Sequence, residues 1–247
     1  MGKKGEGIGF SIGLKLEWLE QTAALVSLGR TGQEVRSSLN TILSTELAEG
    51  KDPRVGSRGR AVMVLSTLWV DPPEGLEGLR DECLRALPQT PSAEHLALHW
   101  AMAVAAYPFF ATVAESVGRL LRLQDTVVRS DVQRRVAEGF GDRPTVERAT
   151  RLAIYNMVQW GALESDAAPR TYRAADRRTV GQDVAVLLLQ AVLHASDVDS
   201  TPLDALLHGP ALFPFELPTV TSRDVDECPG LRAISLGGTE ATVSLVR

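Results

Sequence analysis

Apolar side chains recur at helical spacing along most of the first half of the chain. Apolar residues three and four positions apart form one hydrophobic stripe on a helix. The pattern predicts helices over residues 14–28, 31–48, 60–69, 76–87, 90–107 and 109–123. Thr31 and Glu34 form a capping-box sequence at the second helix, and Thr90 followed by Pro91 predicts an N-cap for the fifth. We therefore expect residues 14–125 to form a helical bundle domain.

The most readable pattern follows this bundle. Residues 130–138 predict one helix, and residues 145–160 predict a second helix that Gly161 ends. A short Gly-containing stretch separates them, which is the helix-turn-helix pattern. Residues 162–173 read as a hairpin with a polar tip, which would add a wing. The sequence therefore predicts a winged helix-turn-helix over residues 126–180.

The C-terminal part of the chain has a different sequence pattern, with extended and β-prone segments. Residues 180–194 predict another apolar helix, and residues 209–218 a Pro-rich extended segment. Two β-prone runs flank Gly237-Gly238, which is a strong hairpin signal. We expect a small α+β cap over residues 181–247 and a flexible Gly-rich tail over residues 1–13. The predicted fold class is mainly α: an N-terminal helical bundle, a central winged helix-turn-helix and a small C-terminal α+β segment with a β-hairpin.

The second helix of the central pair has two chemically different faces. A helical wheel at about 100° per residue groups the apolar residues Val146, Ala149, Ala153, Met157 and Trp160. The opposite face carries Arg148, Arg151, Tyr155 and Gln159. Arginine pairs bidentately with guanine, and glutamine pairs with adenine. The apolar face is predicted to pack inside the protein, and the polar face to enter a DNA groove.

Further candidate DNA contacts flank this helix. Arg143 and Thr145 lie at its predicted N-terminus, where backbone N–H groups favour phosphate. The others lie on the preceding helix and beside the hairpin: Arg134, Arg135, Arg170, Arg173, Arg177 and Arg178. Contacts of this kind would fix the register of the protein on DNA rather than read its sequence.

The distribution of charge along the chain limits the predicted DNA-binding surface to a local region. Residues 119–178 hold twelve Arg and eight Asp plus Glu, a net of +4, within a chain of formal net charge −5, so the remainder carries −9. A protein that coats DNA uniformly would be basic, so the expected DNA surface is local. Nearby acids dilute its field: Glu138, Asp142, Glu147, Glu164 and Asp166.

A second hypothesis therefore stays open. The chain would be a protein–protein interaction module, a scaffold within a multi-protein complex. In that case the winged helix, or the apolar tail segment of residues 212–215, would dock on a partner protein. Many exposed arginine-bearing helices are also simply solvated, and an arginine face alone does not decide between these readings.

The sequence contains no recognisable catalytic motif. It has no P-loop, no G-x-S-x-G and no clustered cysteine pair. His95 and His99 share a helix face, but no H-E-x-x-H is present and no further ligand is evident by spacing. Residues 50–59 and Arg60 form a basic, Gly-containing stretch that fits either a phosphate contact or a solvated connector. We expect no enzyme, no catalytic residue, no cofactor and no metal.

The expected location is cytoplasmic. Cys83 and Cys228 are far apart in the chain, which fits a reducing compartment. The N-terminus is followed by no long apolar run, so a secretory signal is not predicted. The longest apolar stretch, residues 96–114, contains His99 and Pro108 and reads as buried core rather than as a membrane span.

Several segments together resemble a known family. They are Leu14-Lys15-Leu16-Glu17-Trp18-Leu19-Glu20, Leu79-Arg80-Asp81, Tyr107-Pro108-Phe109-Phe110, Thr145-Val146-Glu147-Arg148-Ala149 and Trp160-Gly161-Ala162-Leu163. Over residues 14–180 their order resembles the BrxA-type proteins of bacterial BREX phage-defence systems. The resemblance implies a small non-enzymatic cytoplasmic protein that binds double-stranded DNA through helix-turn-helix-like elements. It would act with other proteins of an antiviral defence system. The tail after about residue 195 lies outside the resemblance.

Overall fold

Helices form most of the part of the chain that the computed structural model describes, which is residues 9–50, 52, 56–234 and 241–246. This agrees with the predicted mainly helical class. The helices before the first strand are α1 (Leu16–Ser27), α2 (Gly32–Ile42), α3 (Ser57–Trp69), α4 (Glu77–Ala86), α5 (His95–Ala106) and α6 (Pro108–Leu121). Short 3₁₀ turns follow α2 and α4 and precede α5, at Leu43–Thr45, Leu87–Gln89 and Ser92–Glu94.

The two predicted N-caps have different outcomes. At α2 the capping box is present, since Glu34 N donates to Thr31 Oγ1 at 3.3 Å and Thr31 N donates to Glu34 Oε2 at 2.8 Å. The predicted cap at Thr90 is wrong. The Thr90 hydroxyl instead donates to Ala86 O at 2.8 Å, a carbonyl at the end of the preceding helix. α5 therefore begins only at His95, after a 3₁₀ turn.

Pro108 separates α5 from α6. It occupies the first position of α6, where its missing N–H removes no helical hydrogen bond. The helix pair made of residues 92–106 and 108–121 is bent by 117° at this point. Every residue from Leu96 to Ala106 is buried, so α5 is a central core helix. Within the described ranges, no single helix has the length and apolar content needed to cross a membrane.

A small antiparallel sheet frames the central helix pair. The chain passes through β1 (Thr126–Val128), α7 (Arg129–Phe140), α8 (Pro144–Gln159), β2 (Leu163–Ser165) and β3 (Thr171–Ala174). The strand order is β1-β3-β2, with Val127 opposite Tyr172 and Glu164 opposite Arg173. The predicted hairpin is thus present as β2 and β3, and the returning strand β3 also pairs with the strand that precedes α7.

The remaining elements return across the helical body. They are β4 (Arg178–Thr179), α9 (Gln182–Ala195), β5 (Ser200–Pro202), α10 (Leu203–Leu207), β6 (Phe215–Glu216), α11 (Ser222–Glu227), β7 (Leu231–Ile234) and β8 (Thr242–Leu245). β4 pairs with β6 in parallel, and a second antiparallel sheet has the order β5-β8-β7. β7 and β8 pair as the predicted hairpin strands, with Ile234 opposite Thr242. The predicted Gly237-Gly238 turn lies outside the described residues.

Two predictions for the tail segments are wrong. Residues 209–218 are not simply extended, because they contain a 3₁₀ turn at Pro210–Leu212 before β6. Residues 212–215 are also no free docking segment, since Leu212 and Phe215 are buried. Their burial follows from aromatic packing, because the Trp100 ring lies 5.7 Å from that of Phe213 and 5.8 Å from that of Phe215.

One continuous hydrophobic core joins all three of the predicted domains, with buried residues from Phe10 to Val243. Trp100 lies at its centre, 5.1 Å from the ring of Phe110 and 6.3 Å from that of Trp160. The Trp100 Nε1–H donates to Ala211 O at 3.0 Å. The predicted boundaries near residues 125 and 180 therefore do not separate independent cores.

The start of the described chain is part of this core. We name residues 9–14 the N-terminal segment. Phe10 is 1% exposed, and its ring lies 4.8 Å from that of Tyr107 and 5.1 Å from that of Phe110. The prediction of a flexible tail is therefore wrong for residues 9–13, because the aromatic side chain of Phe10 packs this Gly-rich stretch into the core.

Candidate nucleic-acid interface

A tight connection sets the angle between α7 and α8. Three residues separate the helices, and Gly141 has φ +82° and ψ 153°, a conformation that L side chains rarely adopt. Its N–H donates to Ala137 O at 2.8 Å, which closes the last turn of α7. Arg143 is extended and Pro144 begins α8, as is common at the first helical position.

The predicted faces of α8 are confirmed. Val146, Ala149, Ala153, Met157 and Trp160 are at most 4% exposed. On the other side Arg148, Arg151, Tyr155 and Gln159 are exposed, Tyr155 to 49%. Thr145 is also exposed at the start of the helix. The apolar stripe is anchored in the core, so the polar face is held in a fixed orientation towards solvent.

The sequence did not predict how much of α8 is buried. Thr150, Ile154 and Asn156 are also at most 1% exposed. Asn156 Oδ1 accepts a hydrogen bond from Leu14 N at 2.7 Å, and Asn156 Nδ2 donates to Ile12 O at 3.4 Å. The Trp160 Nε1–H donates to Leu14 O at 3.0 Å. The N-terminal segment thus lies along one flank of α8, beside the exposed polar face.

The arginines of the predicted interface differ in their partners. Arg148 and Arg151 form no ion pair and no side-chain hydrogen bond with any residue that the structure describes. Arg134, by contrast, lies 3.2 Å from the Asp131 carboxylate. Arg173 Nε donates to Glu164 at 2.9 Å, across the strand pair of the hairpin. The two guanidinium groups on α8 are therefore available to an external anion, whereas the other two are partly neutralised.

Three other predicted arginines bind backbone carbonyls of the protein itself. Arg143 Nη2 donates to Phe140 O at 2.9 Å, and Arg177 Nε donates to Phe215 O at 2.9 Å. Arg178 donates to Trp160 O at 3.2 Å through Nη2, and burial lowers its pKa. Arg177 and Arg178 hold the tail strand β6 and the end of α8 in place. We therefore assign these two residues a structural role and leave them out of the interface.

Arg170 and Arg135 complete the predicted set. Arg170 lies at the hairpin with φ +60°, and its carbonyl accepts a hydrogen bond from Arg129 N at 3.0 Å. Its side chain is exposed, so the hairpin presents a cation to solvent. Arg135 on α7 is half-buried. In the described part of the chain neither guanidinium group has an ion-pair partner.

A separate polar cluster lies between α1 and α5. The His95 Nδ1 atom is 3.0 Å from Glu20 Oε1, and His99 Nε2 is 3.2 Å from the same oxygen without the geometry of a hydrogen bond. Burial lowers the pKa of His99. Burial raises the pKa of Glu20, but its contacts with both histidines outweigh this and lower it. Among the residues described, no group of His, Cys, Asp and Glu is arranged to hold a metal ion.

The site is therefore one exposed helix face bordered by the N-terminal segment. It carries a phenol, an amide and two arginines that have no ion-pair partner in the described part of the chain. The hairpin with Arg170 follows it in the chain. Comparisons with protein-family models, with curated proteins and with solved structures found no match to this chain.

Proposed function

We propose that this protein binds double-stranded DNA through a winged helix-turn-helix made of β1, α7, α8, β2 and β3. Two helices joined by a tight turn and followed by a hairpin support this assignment. The single observation that carries the proposal is the exposed face of α8. It presents Arg148 and Arg151 without any carboxylate partner among the described residues.

The face of α8 has the groups that read base edges. In the major groove Arg151 pairs with guanine O6 and N7 and Gln159 pairs with adenine, while Arg148, nearer the start of the helix, contacts a backbone phosphate. Each good bidentate pair contributes about 1–3 kcal/mol of discrimination. Phosphates on either side of the helix are contacted by Thr145, by Arg135 and, on the hairpin, by Arg170. These contacts fix the register of the helix on DNA.

The test is a titration of duplex DNA at several salt concentrations. We expect the affinity to fall steeply with salt, with a log–log slope of about −0.9 for each phosphate contacted. Replacing Arg148→Ala together with Arg151→Ala weakens binding by about 3–6 kcal/mol, since each arginine loses charged hydrogen bonds that contribute about 1.5–3 kcal/mol. Absence of duplex binding by the wild-type protein at low salt contradicts the proposal.

A charge-matched control makes this test specific. Arg85→Ala together with Arg223→Ala removes the same two charges from α4 and α11, where both arginines are exposed and ion-paired. We expect this variant to bind duplex DNA like the wild type. An equal loss in both double variants would show that only net charge matters, and α8 would then not be the binding helix.

The alternative is a winged helix that docks on a partner protein. It is favoured by the half-exposed Tyr155 ring and by the exposed carboxylates of Glu138, Asp142 and Glu147 close to the same surface. Aromatic residues and arginine are enriched in such interfaces. A purified complex that contains a partner protein and no nucleic acid, and that the Arg148 and Arg151 substitutions disrupt, would support this alternative.

Membership of a BREX-type defence system remains a prediction from the resemblance alone. The genes that flank the gene for this protein provide its test. Neighbours that encode the other parts of such a system would support it, and neighbours of unrelated function would contradict it.

A further inference from the structure

A cavity of about 310 Å³ lies beside the N-terminal half of α8. Three separate parts of the chain form its wall: Gly9, Phe10 and Ser11 of the N-terminal segment, Arg60 of α3, and Thr145, Arg148, Ala149 and Leu152 of α8. Its volume is close to the lower end of the range for small-ligand sites, about 300 Å³. No acidic side chain belongs to the described lining.

Arg60, one of the side chains that line this cavity, has an unsatisfied donor. Its Nε atom is buried and has no hydrogen-bond partner in the described structure. Arg58, two residues earlier, is satisfied, because its Nε donates to Leu47 O at 3.2 Å and its Nη1 lies 3.7 Å from Glu49. The hydroxyl of Ser11 is likewise buried and has no hydrogen-bond partner among the residues that the structure describes. Buried donors left unpaired are destabilising, and a bound acceptor would satisfy both once the two side chains turn towards it.

A second arginine reaches the same cavity from another helix. Arg148 and Arg60 bring two positive charges to one cavity whose described lining has no carboxylate. Like charges in such a place raise the free energy of the empty protein, and an anion between them lowers it. The cavity also lies at the start of a 16-residue helix, whose dipole favours negative charge.

These groups select the chemistry of the ligand. Arginine forks bind phosphate oxygens bidentately, and the hydroxyls of Ser11 and Thr145 can donate to the same oxygens. The apolar side chains of Phe10 and Leu152 form part of the same wall. We infer that the cavity binds one phosphoryl group between Arg60 and Arg148.

The source of the phosphoryl group is a backbone phosphate of DNA bound along α8. This part of the inference rests on the proposed function. A bound duplex would pass the N-terminal end of α8, where a phosphate between the two arginines would fix the helix in its groove. A free phosphorylated molecule has the same chemistry, and it is the other source that the experiment must distinguish.

The first arm measures inorganic phosphate alone. The melting temperature of the full chain is followed while phosphate replaces chloride at constant ionic strength. We expect a saturable rise for the wild type, since a ligand that binds the native state stabilises it. The rise is lost in Arg60→Gln, reduced in Ser11→Ala and retained in the control Arg58→Gln. A wild-type melting temperature that does not respond to phosphate overturns the inference.

The second arm measures duplex DNA. Arg60→Gln is expected to weaken binding about tenfold or more on every sequence and to reduce the salt slope by about one. If Arg60→Gln removes the phosphate response and leaves duplex affinity unchanged, the site stands and the DNA source is overturned. If the wild type binds phosphate but no duplex, the site stands and the proposed function fails.

A further pattern of results would refute the phosphate site alone. If Arg60→Gln leaves duplex binding unchanged and the wild type shows no response to phosphate, the phosphate-binding inference is refuted. The DNA-binding proposal is then unaffected. Should Arg60→Gln fail to fold, Ser11→Ala provides the same comparisons, because it removes only one hydroxyl group. We expect Ser11→Ala to weaken both phosphate and duplex binding, and unchanged binding of both would contradict the inference.

Discussion

Asn156 connects the start of the chain to the candidate interface, and its replacement provides a sharp test of that connection. The side chain is fully buried, accepts a hydrogen bond from Leu14 N at 2.7 Å and donates a longer one to Ile12 O at 3.4 Å. In Asn156→Ala the buried Leu14 N–H loses its partner, which costs about 1–3 kcal/mol. The second bond is long and adds at most about 1 kcal/mol. We therefore expect a loss of about 1–4 kcal/mol.

The measurement is chemical and thermal unfolding of the full chain. In a protein of this size 1 kcal/mol lowers the melting temperature by about 2–4 °C, so the expected decrease is about 2–16 °C. Hydrogen exchange should also accelerate at residues 12–14, because their anchor is lost. Gln159→Ala is the matched control, since it removes an exposed amide from the next turn and should change stability by less than about 0.5 kcal/mol. Equal stability of the two variants would refute the anchoring role of Asn156.

Two further predictions concern stability. Gly141→Ala should destabilise the protein by about 1–3 kcal/mol, because φ +82° with ψ 153° is strained for any L side chain. Gly139→Ala should stabilise it by about 0.5–1 kcal/mol, since Gly139 is inside α7 with open space around it, and the same sign for both would contradict this reasoning. Burial lowers the pKa of His99, so the unfolded chain binds a proton that the native state resists. Stability should therefore fall as the pH drops below about 6.5, and unfolding titrations of His99→Gln should lack this part of the pH dependence.

The sequence predicted the parts of the interface that depend on local periodicity. The two faces of α8 follow from the spacing of Val146, Ala149 and Ala153, and the hairpin follows from its polar tip. Their positions agree with the structure because helix and hairpin geometry repeat over a few residues. The capping box at Thr31 is predictable for the same reason, since both of its hydrogen bonds join residues three apart.

The roles of individual arginines were not predictable in this way. In the sequence Arg177 looks like Arg148, yet one binds Phe215 O, 38 residues away, and the other faces solvent. Arg60 was only one cation of a basic stretch until the fold placed it across a cavity from Arg148. Asn156 likewise reads as an ordinary polar residue of a helix. These assignments depend on which distant segments meet, and no local pattern contains that information.

The indole N–H of Trp160 has a consequence for how the central helix pair can be used. A fragment from Pro108 to Ala174 would lack Leu14 O, the acceptor of that N–H, and would lack Phe10, whose ring lies 5.9 Å from that of Trp160. The apolar flank of α8 would then be exposed to water, where such patches promote aggregation. We therefore do not expect the helix pair and its hairpin to fold correctly when they are transferred alone. Fusion proteins intended to carry this surface should include the chain from Gly9 onward.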